Sequence, residues 1–420
     1  MKSIIKKAFL KLKGQKVVAN FINLSSIQLS NVVLLSLLFP IITQKIGIEE
    51  FGIFMFANTF SNLASIFINY GTNQSGIRDI AVNNNNSEAQ NRVVNDILYI
   101  RLIVFGLYLI LLIALKWLKI QYYDYVILAL PIVFAEVLNP LFFFIGIEKL
   151  KLYNQANLVS KILSIALILL FVQGPKDSIL VNFILGISSV LIYVYLLFYI
   201  LKNKYFHLKA PSIVELKGIG KENLHLTINS VSVQLQQSLM IFLLARMNNP
   251  LLLGSYSLCD KVVWSVRMLI VSISISIYPK SAQLLAEGIE FWKAYKKRFK
   301  KLITFSFLSL SVFLFVFSDL IVLILSGEHN TMASNFLKMM ALVPTVSALN
   351  SLNVIELLIK KENEILSKTA IFLSILSLIV AWLLTTHFST KWTGSYTIII
   401  ELISLIIYEY LIRRSSKRYV

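Results

Sequence analysis

The 420-residue chain is 57% hydrophobic and only 15% charged, with a mean hydropathy of +0.75 and a formal net charge of +19. A soluble protein of this size could not hide so much apolar surface, so the bilayer is the solvent that fits. The basic residues fall between long apolar runs, which makes membrane topology a better reason for them than nucleic acid; a single cysteine, Cys259, excludes internal disulfides and cysteine-rich metal sites.

Residues 1–16 carry Lys2, Lys6, Lys7, Lys11, Lys13 and Lys16 and read as a basic interfacial helix on the cytoplasmic leaflet. The apolar run that follows is too long for the core of a cleavable signal and reads as a first membrane span. A span needs about 20 apolar residues. Twelve candidates lie at 17–42, 51–73, 96–115, 123–145, 154–172, 179–201, 223–245, 254–278, 302–325, 333–358, 366–386 and 394–412.

With the N-terminus placed inside, the cytoplasmic connections hold 28 Lys and Arg and the outer ones six. Positive charge on the inner side is what sets orientation, and a missed span would scramble the alternation. The expectation is an all-α integral membrane protein of about twelve spans in two six-helix lobes around a central cavity, with both termini cytoplasmic. Its parts are the basic segment 1–16, a lobe over 17–201, a cytoplasmic linker at 202–222, a lobe over 223–412 and a basic tail at 413–420. The lysine-rich stretch 280–301 reads as an interfacial helix touching anionic lipid.

The halves resemble each other faintly. Ser25, Ser26, Gln28 and Asn31 precede Phe51-Gly52-Ile53-Phe54, as Asn229, Ser230, Ser232 and Gln234 precede Leu253-Gly254-Ser255-Tyr256. Duplicated bundles with a site between the halves are a common transporter plan.

Polar side chains within a span face the bundle interior, because lipid offers them no partner. The second span carries Asn58, Ser61, Asn62, Ser65 and Asn69 along one face. The seventh has Ser230, Gln234 and Gln237, the tenth Asn350, Asn353 and Glu356, and the fourth Glu136 and Asn139. Each stripe could serve as interhelical glue; several together favour a hydrated cavity. Asp260, Lys261 and Arg267 lie in the eighth span, with Asp260 and Arg267 near one face two turns apart. Arg101, Lys161, Lys338 and Lys368 are further cations within spans. Arg101, Lys338 and Lys368 sit near span ends and are expected to snorkel to the interface. Arg267 lies in mid-span, so it should bind an anion or an acidic partner such as Glu136 or Glu356. A polar cavity with excess positive charge suits an anionic substrate, and the arginine fork suits phosphate.

Four segments carry a resemblance. Pro40 leads into Ile46-Gly47-Ile48-Glu49-Glu50-Phe51-Gly52. Tyr70-Gly71-Thr72-Asn73-Gln74-Ser75-Gly76-Ile77-Arg78-Asp79-Ile80-Ala81 follows. Asn139-Pro140-Leu141-Phe142-Phe143-Phe144-Ile145-Gly146-Ile147-Glu148-Lys149-Leu150 comes third. Gly254-Ser255-Tyr256-Ser257-Leu258-Cys259-Asp260-Lys261 then runs to Tyr278-Pro279-Lys280. In order and spacing these are similar to the polysaccharide transporter family, the O-antigen and capsular repeat-unit flippases of a superfamily that includes multidrug and toxin extruders. Leu141 and Ile145 stand where that family usually has tryptophan and glutamine.

The resemblance implies a V-shaped pair of lobes in a bacterial inner membrane, opening alternately to each side. The implied substrate is an oligosaccharide linked through diphosphate to undecaprenol, with membrane lipids and polysaccharide polymerase or chain-length proteins as partners. Arg78, Lys261 and Arg267 would meet the diphosphate, with Asp260 placing the cations. Asn31, Asn58, Asn62, Gln234 and Gln237 would contact sugars, and Glu136 and Glu356 are candidates for ion coupling or ion pairing. A multidrug extruder is the first rival, but the span 17–42 has no Asp or Glu to couple ions. A polymerase or ligase is the second, and the outer connections are too short for one. No ATP-binding loop, zinc-protease motif or cofactor signature is present, and no nucleic-acid partner is expected.

Overall fold

The computed structural model describes residues 37–83, 86–202 and 213–416. The basic segment 1–16, Asn31, most of the first expected span and most of the linker lie outside the described residues. What is described is helical throughout, with no strand among those residues. In chain order come α1 (Leu37–Ile46), α2 (Ile48–Asn69), α3 (Thr72–Val82), α4 (Ser87–Trp117), α5 (Tyr123–Leu128), α6 (Leu130–Leu138), α7 (Leu141–Gly146), α8 (Leu150–Phe171) and α9 (Leu180–Lys202). Beyond the linker follow α10 (Ile213–Arg246), α11 (Pro250–Glu287), α12 (Ile289–Val316), α13 (Ser318–Ser326), α14 (Thr331–Met340), α15 (Val343–Ile359), α16 (Asn363–Thr386) and α17 (Tyr396–Ser416).

Eleven helical stretches among the described residues are long and apolar enough to cross a membrane. The protein is therefore a multi-pass membrane protein. Its exterior is apolar, as lipid requires: Leu107 and Ile110 on α4 and Phe305 on α12 are exposed, while Asn95, Asn182 and Ser255 are buried.

Local chemistry sets the helix ends. The Asn86, Asn249 and Asn330 side chains accept hydrogen bonds from the amides of Ala89 (3.0 Å), Leu252 (3.0 Å) and Ala333 (2.8 Å), capping α4, α11 and α14. Lys45 covers the other kind of end, donating to the carbonyls of Leu169 (3.1 Å) and Val172 (2.8 Å) where α8 stops. Tyr70 and Gly71 take positive φ, so α2 ends near the close of the second expected span and α3 begins a separate helix at its last two residues.

The fourth expected span is broken more sharply, and Arg101 closes the break. Pro140 has no N–H to give the Glu136 carbonyl. Arg101 supplies the missing donor, with Nη1 at 3.0 Å from Glu136 O and 2.8 Å from Asn139 O. Its Nε reaches Thr72 Oγ1 at 2.9 Å and its Nη2 reaches Asn73 Oδ1 at 3.0 Å. The side chain is fully buried and does not snorkel to the interface. A single guanidinium thus holds α3, α4 and α6 together because its donors find backbone and amide oxygens inside the bundle. Lys368 does lie exposed, paired with Glu364, and Lys338 is half-buried, paired with Asp319.

The stretch 280–301 is not a separate interfacial helix. α11 continues to Glu287, the chain turns at Gly288, and the lysines ride on the first turns of α12. Trp292 buries there, and Lys296 reaches inward to Glu356 at 2.6 Å, so this end of α12 packs against α15.

The four segments quoted above meet in pairs. A Cβ on Gly52 would fall 2.5 Å from the Gly254 nitrogen, and one on Gly254 would overlap Ile48 O, so α2 and α11 touch backbone to backbone. A Cβ on Gly76 would sit 2.8 Å from the Phe142 ring, and one on Gly146 would sit 2.6 Å from Ile80, which joins α3 to α7. The first contact closes one end of the junction between the chain's halves. Just inside it, Phe242 of α10 packs against Phe56 (6.1 Å) and Phe60 (6.3 Å) of α2.

Candidate functional site

Inside that aromatic seam lies a cavity of about 690 Å³, walled by α2, α6, α8 and α9 on one side and by α10 and α11 on the other. Its length runs from Asn58 to Gln74 along α2 and α3, away from the Gly52–Gly254 contact. This volume falls in the range of small-ligand sites.

The α2 wall owes its polarity to helical spacing: Asn58, Asn62, Ser65 and Asn69 recur every three or four residues and so share a face. Neighbours fix these amides in place. Asn62 donates to Asn58 (2.9 Å), Asn58 to Asn182 of α9 (3.0 Å), and Asn182 to the Phe54 carbonyl (3.0 Å). Asn69 donates to Glu136 at 2.6 Å, and Asn139 holds the other Glu136 oxygen at 2.9 Å. Opposite, α10 presents Ser230, Gln234 and Gln237, and α11 presents Asp260, Lys261, Trp264 and Arg267.

Three cations line the cavity, each in a different state. Arg267 donates to Glu401 at 2.6 Å; Ser347 (2.7 Å) and Asn350 (2.6 Å) complete the shell around that carboxylate. Its acidic partner is therefore on α17, rather than Glu136 or Glu356, because Glu401 faces α11 and α15 where those helices converge. Lys261 lies 3.8 Å from Asp260 and 5.9 Å from the Trp264 ring centre. Lys161, on α8, has no hydrogen bond or ion pair with any described residue.

The sequence-derived residues divide accordingly. Asn58, Asn62, Gln234, Gln237, Asp260, Lys261, Arg267 and Glu136 come together around the cavity. Arg78 does not: it is exposed on α3, bridging Asp79 (2.8 Å) and Glu222 (2.6 Å). Glu356 is also outside, buried between Lys296 and Lys360, each at 2.6 Å. The polar stripe of the tenth expected span thus serves pairing within the bundle. Lys161 was visible as a cation within a span but carried no motif. Glu401 was legible as an acid in an apolar run, and Trp264 offered no signal apart from its place one turn beyond Lys261. Among the described residues no cluster of His, Cys, Asp and Glu could hold a metal.

A many-helix membrane fold around a polar chamber is an architecture that known transporters share. The fold matches an inward-facing multidrug resistance MATE family transporter of the MOP superfamily with a TM-score of 0.72, at 15% identity over 94% of this chain and 99% of that one. A MOP superfamily transporter of Pyrococcus furiosus, described by the reverse polarity of its binding pocket, gives 0.65 at 14% identity over 94% and 95%. The profile of the polysaccharide biosynthesis protein family matches residues 17–285, and the chain belongs to that family. Two relatives are named as O-antigen transporters. One, of Escherichia coli K12, is 22% identical over 63% of this chain and 65% of its own length; the other, of Shigella dysenteriae, is 25% identical over 82% and 88%. The protein is a transporter of this family and not an enzyme.

Proposed function

We propose that the protein turns oligosaccharide repeat units, linked through diphosphate to undecaprenol, from the cytoplasmic to the outer leaflet of a bacterial inner membrane. The observation that carries this reading is the cavity itself: amides on both walls, cations on both walls, and an apolar seam at one end. Amides satisfy sugar hydroxyls as donors and acceptors together. Lys161 and Lys261 are the cations available to a diphosphate, since Glu401 already holds Arg267. The polyprenyl tail stays in lipid while only the polar head crosses, so the chamber has to accommodate the head alone.

In this reading residues 17–201 and 223–412 are lobes that rock about their shared face. Lysine-rich connections keep both termini in the cytoplasm, so the Gly52–Gly254 contact closes the outer side. The cavity then opens inward to receive its load. A negative interior favours outward passage of anionic charge by about 2.3 kcal/mol per elementary charge per 100 mV, which supplies a driving force without ATP.

The test is deletion of the gene in its host with complementation by wild type. Lipid-linked repeat units accumulating inside, with surface glycan lost and then restored, are expected. Normal surface glycan in the deletion strain, with altered sensitivity to cationic drugs, would move the protein to drug extrusion.

A further inference from the structure

Trp264 is an odd choice for the wall of a polar chamber. The described tryptophans otherwise face outward or bury in the bundle: Trp117, Trp382 and Trp392 are exposed and Trp292 is fully buried. Trp264 alone among them lines the cavity. It stands one helical turn beyond Lys261, whose ammonium sits over the indole ring 5.9 Å from its centre, and it shares the cavity lining with Asn58 and Asn62. A flat apolar face is costly in water unless something apolar covers it. A pyranose has such a face in its axial C–H bonds, and its hydroxyl rim would meet the neighbouring amides.

We propose that Lys261 and Trp264 form one subsite for a glycosyl phosphate linkage, with the phosphate on the ammonium and the first sugar stacked on the indole. The ammonium lies over the indole, so a phosphate bound to it would bring its attached sugar ring against the same side chain. This inference rests on the flippase reading and adds to it: the protein recognises the junction at which every repeat unit begins. Gln234 and Gln237, on the adjacent α10, meet hydroxyls further along the glycan.

The experiment measures binding to purified protein in lipid nanodiscs with two probes, farnesyl diphosphate and farnesyl-diphosphoryl-N-acetylglucosamine. Trp264→Leu should weaken the glycosylated probe about fivefold or more and leave the sugar-free probe within about twofold, as the loss of one stacked ring predicts. Trp264→Phe should keep most of the affinity, and Lys261→Gln should weaken both probes. Matched elution and melting curves exclude misfolding, with Trp264→Phe carrying the comparison if the leucine variant melts early. Equal loss on both probes, or no loss on either, overturns the subsite while leaving the flippase reading in place. Wild-type protein that binds neither probe overturns both.

Discussion

Gly52 and Gly254 meet backbone to backbone, and they occupy matching positions in the two segments by which the halves of the chain resemble each other. The contact leaves no room for a side chain: a Cβ on Gly52 would lie 2.5 Å from the Gly254 nitrogen and 2.8 Å from its Cα. Two glycines a half-chain apart thus let α2 and α11 approach as closely as helices can, in the manner of small-residue interfaces in membranes.

Gly254→Val should therefore hold these helices apart. The expected cost is about 1–3 kcal/mol of overpacking, read as a lower melting temperature in detergent and as greater labelling of a cysteine placed at Phe60. Gly106→Ala is the control. No atom lies within 4 Å of the added Cβ there, so stability should hold or rise slightly.

Arg101→Gln should be far more damaging than its distance from the cavity wall implies. The substitution strands the Asn139 carbonyl and leaves the Glu136 carbonyl, which Pro140 cannot serve, with only the Asn139 amide at 3.4 Å. The loss should be on the order of 3 kcal/mol, seen as poor recovery of folded protein by size exclusion. Recovery equal to wild type would mean that water replaces the guanidinium.

Arg267 and Glu401 should behave as a unit. Arg267→Gln leaves a mostly buried carboxylate without its cation, and Glu401→Gln does the reverse. Each single change should destabilise, while the double change should cost less than their sum by about 1–3 kcal/mol of coupling. Strict additivity in melting experiments would separate the two residues. It would return Arg267 to the list of groups free to meet substrate.

Lys161→Gln should give the opposite profile. The lysine has no partner to lose among the described residues, so melting temperature should stay level or increase. Transport, followed as surface glycan in the deletion strain at matched expression, should fall about tenfold or more if a charge-assisted contact with the diphosphate is removed. Wild-type transport would exclude this lysine from the pathway.

Fold class and most span positions were legible because hydrophobicity and length report them directly. The stripes on α2 and α10 were legible too, since helical spacing alone puts Asn58 and Asn62, or Gln234 and Gln237, on one face. Pairing was not. Whether Arg267 meets Glu136, Glu356 or Glu401 depends on how α11, α15 and α17 converge, and no local pattern encodes that. Arg101 misled for a related reason: its place near a span end suggested snorkelling, while its actual role is set by a proline 39 residues later in the chain. Arg78, within a recognisable motif, turned out to bridge α3 to Glu222 outside the chamber.

The order of residue types along α2 has a consequence for how such proteins diverge. Gly52 comes first, then Phe56 and Phe60 of the aromatic seam with Asn58 between them, and then the amide face that continues to Asn69. The tight backbone contact and the wet cavity wall thus lie towards opposite ends of one helix, overlapping only around Asn58. Under the proposed function, a lineage could revise the wet end of α2 to suit a new surface sugar while keeping the glycine contact intact, so that the outer coat of a cell would change faster than the machine that exports it.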